Sequence, residues 1–480
     1  MGDKMKKTIL IEKNKILTRL AFLQEGELIS TYIDSPFEPD LQNKIIVGQV
    51  EQIIKNLNAA FVDYGEEKKG LLHLTQIPEY YKEKLKQGLR LPIQITGLNK
   101  GAKGNKLTAK VSIQGRYAVC LPFEPGISLS KKIKNPILRG TLREKVQALC
   151  DRSYGFIIRT EAMSCSEEDF EQEVKFLIQK VDTFMQSKDY LSKGSTLYEE
   201  LPIPIEWVLS KLTLKDEITI VCDDIAYLEV LKKECADYGY GEDNIQFKHY
   251  TEKENLFFVY SIQKEWDKLF ERKIWLKNGG NIVIEPTEAM TVIDVNSAKA
   301  VVSKNSRKAI LELNKQAIRE GLLQVLRRNL SGIIIMDLVE MPSNEECEEV
   351  YSYAKKILES YGEKKTIVYP LTELGLLQCA RSKKYLSIGQ KLLEPCPVCG
   401  NREGKDNALY QGFKLEQKIK EVSRQTTQHQ MYVRCGEKIY TFLKENDLFA
   451  QLEETYSMTV SFEKVKHLQE NSFLCQFYPF

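Results

Sequence analysis

Long apolar runs are missing from this 480-residue chain. Nothing in it approaches the roughly 20 consecutive apolar residues that a membrane-spanning helix needs, and Met1 to Glu12 is too polar for a signal peptide. A soluble, cytoplasmic protein without a transmembrane segment is expected. An excess of one charge is missing as well, since 69 Lys and Arg stand against 67 Asp and Glu, a formal net charge of +2. A nucleic-acid partner therefore cannot be argued from bulk charge and must rest on local patches. A disulfide framework is the third absence. The 11 cysteines are odd in number and scattered through a large chain, the pattern of reduced thiols, and only Cys396 and Cys399 have the spacing of metal ligands. What the chain does have is length, enough at roughly 150 residues per domain for about three domains with sizeable cores.

Two carboxylates each end an apolar run: Asp294 in Met290-Thr291-Val292-Ile293-Asp294-Val295-Asn296-Ser297, and Asp337 in Gly332-Ile333-Ile334-Ile335-Met336-Asp337-Leu338. A continuous β-branched run predicts a strand buried on both faces, where an ionised Asp is costly unless it is paired or bound to a cation. Between them the spacing predicts one helix from Lys304 to Arg328, with apolar Ile310, Leu311, Leu313, Ala317, Leu322, Leu323 and Leu326. Strand, crossover helix and parallel strand would set the two carboxylates side by side at the carboxyl ends of neighbouring strands, where open α/β sheets place ligands. Two Asp oxygens leave an octahedral Mg²⁺ open to water and a phosphate. Asn296 follows Asp294 by two residues, on the same face of the strand, and can hydrogen-bond a ligand there. The pattern alone leaves a second reading open, in which both Asp cap the turns or helices that follow them.

The longer run Gly279-Gly280-Asn281-Ile282-Val283-Ile284-Glu285-Pro286-Thr287-Glu288-Ala289-Met290 leading into Thr291 to Ser297, with Asp337 in Ile335-Met336-Asp337-Leu338-Val339-Glu340-Met341, closely resembles the ribonuclease E/G family. The resemblance implies that Asp294 and Asp337 are metal-binding catalytic aspartates and Asn296 a third catalytic-site residue. It implies a Mg²⁺-dependent endoribonuclease that cleaves single-stranded RNA, is stimulated by a 5′-monophosphate, leaves 5′-phosphate and 3′-hydroxyl ends, and serves RNA processing and decay, of rRNA and mRNA alike.

The same resemblance implies a multi-domain α/β and α+β architecture. Residues 1–35 and 208–272 would form two parts of a ribonuclease-H-like subdomain, 36–112 an OB-fold RNA-binding barrel, and 113–207 a 5′-phosphate sensor. Residues 273–391 would be a deoxyribonuclease-I-like α/β catalytic domain, 392–404 a zinc link, and 405–480 a small association domain. The residues speak for parts of this map by themselves. Val47-Gly48-Gln49-Val50, Ala59 to Gly65 and Gly70 to Leu74 are short strands with turn signals, the pattern of a small Greek-key barrel reaching about Ser112. Phe61 and Lys103 fall on the family's RNA-contacting positions, and Leu71 stands where relatives have a second aromatic. Without the resemblance, Phe61 reads as a core residue and Lys103 as a solvated charge.

Arg159 and Thr160 follow the run Gly155-Phe156-Ile157-Ile158. An arginine fork and a threonine hydroxyl at a strand end can hold a phosphate monoester, although alone they read as a surface ion pair. The resemblance assigns them to the 5′-phosphate, with Gly115 and Val119 shaping a base pocket. Asp223-Asp224 is not taken as a metal pair, because adjacent residues on a strand point to opposite faces. Arg381, Lys383 and Lys384 form a cluster suited to neutralising phosphates, and Glu373 stands where relatives are usually basic. Cys396-Pro397-Val398-Cys399 offers two thiolates, whereas a closed zinc site needs four ligands, so two copies across a two-fold axis would complete it. The resemblance implies such a zinc shared between two chains, hence a homodimer or higher homo-oligomer; a redox pair or an unliganded turn stays open. The end of the chain predicts a small α+β domain, with a helix over Asn407 to Ser423 and a strand over Met458 to Phe462. Two other functions remain in play: a non-catalytic RNA-binding relative, to which Leu71 and Glu373 point, and a metal-dependent phosphatase or deoxyribonuclease on a similar frame.

Overall fold

The structure is a computed structural model that describes all residues except 1–4, 38–43, 98–103, 151–153, 164, 188–191, 200–201, 213–215, 239, 242–244, 298–305, 342, 384, 396–403, 426–429 and 477–480, with the backbone alone at 161, 306 and 425. It divides into two compact units, residues 1–39 with 204–480 and residues 40–203.

The larger unit begins with an antiparallel meander of β1 (Lys6–Glu12), β2 (Thr18–Gln24) and β3 (Glu27–Asp34). Its second turn is the two-residue Glu25-Gly26, both at positive φ, the tight hairpin whose twist matches that of the flanking strands.

The smaller unit holds β4 (Ile45–Ile54), β5 (Ala59–Asp63), β6 (Gly70–His73), β7 (Arg90–Gly97) and β8 (Lys106–Thr108). They follow one another as β4-β5-β6-β8-β7, and β7 pairs again with β4, so five strands close into an OB-like barrel. Ala60, Val62, Leu72, Ile93, Ile95 and Leu107 are buried by the closure. A Cβ on Gly70 would stand 2.3 Å from Leu107, so β6 passes β8 only as bare backbone. Beyond the barrel, β9 (Ile113–Gln114), β10 (Ala118–Leu121), β11 (Gly126–Leu129) and β12 (Gly155–Ile158) form a sheet in the order β11-β12-β10-β9. The helix Glu167–Ser187 buries Phe170, Val174, Leu177, Val181 and Phe184, one face at helical spacing. The short β13 (Thr196–Tyr198) returns to pair with β4.

Back in the larger unit, β14 (Glu217–Cys222) and β15 (Ile245–His249) add in parallel beside β1, giving the sheet order β15-β14-β1-β2-β3. A second sheet contains β16 (Lys273–Trp275), β17 (Asn281–Pro286), β18 (Met290–Asn296), β19 (Gly332–Asp337), β20 (Thr366–Tyr369) and β21 (Leu376–Arg381), in the order β16-β17-β18-β19-β21-β20. Only β18 and β19 are parallel, linked by the expected crossover helix, observed as Ser306–Arg327.

These strands are not buried on both faces, contrary to the expectation drawn from their composition. Ile293, Val295, Ile334, Met336, Leu377 and Cys379 point to one side and share a core with Leu313, Ala317, Ile318 and Leu322 of the crossover helix and Val350, Ala354 and Leu358 of the helix Asn344–Ser360. The alternate residues, Val292, Asp294, Ile333, Ile335 and Asp337, are half-buried or exposed. Both helices cover the same side, and a strand with antiparallel neighbours on the far edges needs only one covered face. The crossover helix itself is enclosed from two directions. Its other side meets β3, where Thr31 Oγ1 donates to the Arg327 carbonyl at 2.5 Å and Arg327 Nε donates to the Leu28 carbonyl at 2.7 Å.

The carboxyl-terminal segment is α+β: the helix Ala408–Gln425, then a three-stranded sheet centred on Gln430–Cys435, and two helices, Glu437–Glu445 and Leu448–Tyr456. It shares one hydrophobic core with β1 to β3. Glu416 is fully buried at the junction, accepting hydrogen bonds from the backbone N–H of Lys15 (2.6 Å) and Ile16 (2.9 Å) and from the Tyr456 hydroxyl (2.8 Å). None of the nine described cysteines is in a disulfide, and no helix among the described residues is long and apolar enough to cross a membrane.

Candidate active site

Asp294 and Asp337 are partners in register on the parallel strands β18 and β19. Neighbouring strands lie about 4.8 Å apart and paired side chains share a face, so the two carboxylates project side by side from the open face of the sheet. Both are exposed. Asn296 Nδ2 donates to Asp294 Oδ2 at 2.6 Å, which orients one carboxylate, while the Asp337 carboxylate makes no hydrogen bond or ion pair with any described residue. The capping alternative fails on this geometry. Asp294 is followed by more strand, and the helix after Asp337 is capped by Ser343, whose hydroxyl accepts from Glu345 N–H at 3.2 Å.

A residue the sequence reading missed fixes the end of β19. Asn314 of the crossover helix, fully buried, donates to the Val339 carbonyl at 2.8 Å and accepts from the Val339 N–H at 3.0 Å, clamping the chain two residues beyond Asp337. Asn at a helix interior is a weak sequence signal of such a clamp, because its amide can satisfy a backbone donor and acceptor together.

The donor set fits a hard divalent cation. Among the described residues no group of three or more His, Cys, Asp or Glu could hold a metal, which excludes an all-protein cage from these residues. Two carboxylates with the remaining positions left to water and phosphate oxygens is a Mg²⁺ arrangement.

Of the basic cluster Arg381, Lys383 and Lys384, the structure places Arg381 away from the two aspartates. β21 runs antiparallel to β19, so Leu376 pairs with Asp337 and Arg381 pairs with Gly332, at the opposite end of the strand. Five residues of strand put Arg381 about 17 Å along the sheet from the carboxylates. Its side chain is 10% exposed and committed to Asn329 Oδ1 and the Leu330 carbonyl, both at 2.9 Å, with Glu363 as its ion partner. Arg381 therefore ties together the far end of the sheet, Lys383 is exposed, and Lys384 lies outside the described residues. Glu373 is exposed in the turn that precedes Leu376.

The acidic pair set aside from the sequence is structural. Asp223 is buried, accepting from the Lys13 N–H at 2.7 Å and pairing with Lys420 at 2.8 Å, and burial raises its pKa. Asp224 caps the helix Ile225–Asp237 by accepting from the Tyr227 N–H at 2.8 Å.

In the smaller unit, four predicted residues converge. Arg159 Nη1 donates to the Gly115 carbonyl at 2.7 Å, and Arg159 N–H donates to the Tyr117 carbonyl at 2.7 Å. Val119 pairs across the sheet with Ile157, two residues before Arg159. Thr160 Oγ1 is 2.9 Å from the Ser130 hydroxyl. Glu173, on the helix Glu167–Ser187, was not anticipated. Its carboxylate accepts from the N–H groups of Arg116 (2.8 Å), Tyr117 (2.7 Å) and Ala118 (2.9 Å), and a Cβ at position 115 would stand 2.5 Å from Glu173 Oε1, so Gly115 is bare to admit it. Burial pushes the Glu173 pKa up, against the three N–H groups that favour the ionised form. A pocket of about 400 Å³ in this unit, lined by Gly126, Arg143, Gln147 and Tyr154 among others, includes neither Arg159 nor Thr160.

On the barrel, Phe61 is half-buried on the outer face rather than in the core, opposite Leu71, which in turn pairs with exposed Lys106. Lys103, Cys396 and Cys399 lie outside the described residues.

The chain is similar to known ribonucleases. The chain is 28% identical to ribonuclease G of Escherichia coli over 410 residues, 82% of this chain and 83% of that protein. It is 27% identical to ribonuclease G of Haemophilus influenzae, over 80% of this chain and 81% of that protein. Against ribonuclease E of a Nostoc species it is 29% identical, over 74% of this chain and 53% of that longer protein. A model of the ribonuclease E/G family matches residues 112–384, more than half of the sequence and a span that contains the converging residues around Arg159 as well as both aspartates, and the chain belongs to that family.

Proposed function

We propose that the protein is a Mg²⁺-dependent endoribonuclease that cleaves single-stranded RNA, prefers a 5′-monophosphate end, and acts in RNA processing and decay. The observation that carries this is the in-register pair Asp294 and Asp337, exposed and free of cationic partners among the described residues, on a sheet belonging to a family of ribonucleases. Asp294 and Asp337 would hold the cation through one or more oxygens each, and the Asn296 amide would keep Asp294 turned toward it. When bound, Mg²⁺ supplies stabilisation of the charge that develops on the phosphoryl oxygens. The clamp of Asn314 on Val339 holds the end of β19 in place, so little reorganisation is needed as substrate arrives.

Arg159 and Thr160 would receive the terminal phosphate, which offers more charge and more free oxygens than an internal diester, and Glu173 would keep the Gly115 to Ala118 turn set for the first base. Phe61 on the outside of the barrel, with Lys106 two strands away and Lys103, would bind the single strand by stacking and charge. We read the sheet β15-β14-β1-β2-β3 as ribonuclease-H-like and the sheet of β16 to β21 as deoxyribonuclease-I-like, and Cys396 and Cys399 as half of a zinc site shared by two chains. The test is cleavage of a 5′-monophosphorylated single-stranded RNA with Mg²⁺ and with chelator. Cleavage that depends on the cation and is lost in Asp294→Asn supports the reading, and cleavage that survives chelation defeats it.

A further inference from the structure

We infer that Lys273 and Trp275, on the edge strand β16, form a substrate subsite that takes one nucleotide of the single-stranded RNA beside the scissile bond: Trp275 stacks the base and Lys273 meets the phosphate. This rests on the proposed function of the same sheet.

Strand register places both residues. Lys273 pairs with Val283, Val283 with Asp294, and Asp294 with Asp337, so one rung across four strands joins Lys273 to both aspartates. On the next rung Trp275 pairs with Asn281 and Asn281 with Asn296. Paired residues share a face, so Lys273 and Trp275 project from the open face that carries Asp294, Asn296 and Asp337. Two strand spacings put them about 10 Å from Asp294 and Asn296. The packing of β16 is done by Ile274, 2% exposed, which faces the core. Trp275 is 65% exposed, whereas the other two tryptophans, Trp207 and Trp266, are 4% and 0% exposed. An indole left this open gains little from folding.

The chemistry around it selects the occupant. The Lys273 ammonium stands 4.3 Å from the Trp275 ring centroid, a cation and an aromatic face together, which is the pairing that binds single strands without reading their sequence. An anionic chain with flat bases complements both groups. A second copy of this protein would bring its own face, and an apolar partner would leave the ammonium without a counter-charge.

Full-length protein with Asp337→Asn, expected to bind without cutting, is titrated with a single-stranded RNA while tryptophan emission is followed. Quenching that disappears when Trp275→Phe is added is expected, since the buried Trp207 and Trp266 have no access to a base; emission unchanged by RNA, or quenching that persists without Trp275, overturns the inference. In otherwise wild-type enzyme acting on a 5′-hydroxyl RNA, Trp275→Ala raises KM by about 5- to 30-fold with kcat nearly unchanged, Trp275→Phe restores most of it, and Lys273→Ala lowers the salt dependence of binding. Cleavage by wild type that depends on Asp294 but shows the same KM in Trp275→Ala overturns this subsite and leaves the proposed function standing; no such cleavage by wild type counts against the proposed function, and the quenching assay still reads the subsite. A change of oligomeric state in Trp275→Ala with unaltered RNA affinity also overturns it.

Discussion

Two sheets in the larger unit place carboxylates near the carboxyl ends of adjacent parallel strands, and only one of them has a candidate active site. On β1 and β14 these are Glu12 and Asp223, and both are spent. Glu12 is 1% exposed and is gripped by Arg19, itself 3% exposed and set among the rings of Phe257, Trp266 and Phe413. Asp223 is taken by Lys420 and the Lys13 backbone. On β18 and β19 the carboxylates are exposed, and among the described residues Asn296 alone, a neutral donor, orients one of them. An acidic residue at a strand end is thus not the signal of a metal site. The signal is an acidic pair that the fold has left without cations, because a carboxylate already neutralised by a buried Lys or Arg has little to offer a second cation.

The comparison is broken most directly by exchanging the roles of the two sheets. Asp294→Asn or Asp337→Asn is expected to lower Mg²⁺-dependent RNA cleavage by at least about 10³-fold, several kcal/mol of transition-state stabilisation, while the denaturation midpoint stays put, since neither side chain packs the core. Measured cleavage rates close to wild type would remove the aspartates from the mechanism. In the other sheet the pattern inverts. Glu12→Ala strands the buried Arg19 and is expected to destabilise by about 3–5 kcal/mol in chemical denaturation, with the cleavage rate of the remaining folded enzyme unaffected. A loss of turnover without a loss of stability would mean that the amino-terminal sheet takes part in the chemistry.

Two smaller effects sharpen the contrast. Asn296→Ala removes the hydrogen bond that orients Asp294, and the expected cost is about 10- to 100-fold in apparent Mg²⁺ affinity or rate, read from a Mg²⁺ titration of cleavage. A titration superimposable on wild type would assign Asn296 to the fold alone. Arg159→Ala is expected to narrow the rate ratio between 5′-monophosphate and 5′-hydroxyl RNA by roughly tenfold, one charge-assisted hydrogen bond, without touching the 5′-hydroxyl rate. An unchanged ratio would place end recognition elsewhere.

The apolar runs, the helix between them and the spacing of Asp294 from Asn296 are enough to predict a strand, crossover helix and parallel strand with two carboxylates abreast. Those features are local in sequence, and periodicity with handed connections leaves few ways to fold them. The same holds for the five barrel strands, whose turn residues mark each reversal. What tertiary structure alone decided is which side of each element meets another. Composition could not show that both helices would cover one face of the sheet of β16 to β21, that antiparallel β21 would carry Arg381 away from Asp337, or that Glu173, in a helix of a later segment, would hold the turn after Gly115. It also could not show that Lys420, nearly two hundred residues away, would neutralise Asp223 and so leave Asp294 and Asp337 as the accessible pair. Periodicity records the faces a segment can bury; the partner that buries them, and the charges it brings, come from distant parts of the chain and are fixed only when the elements pack.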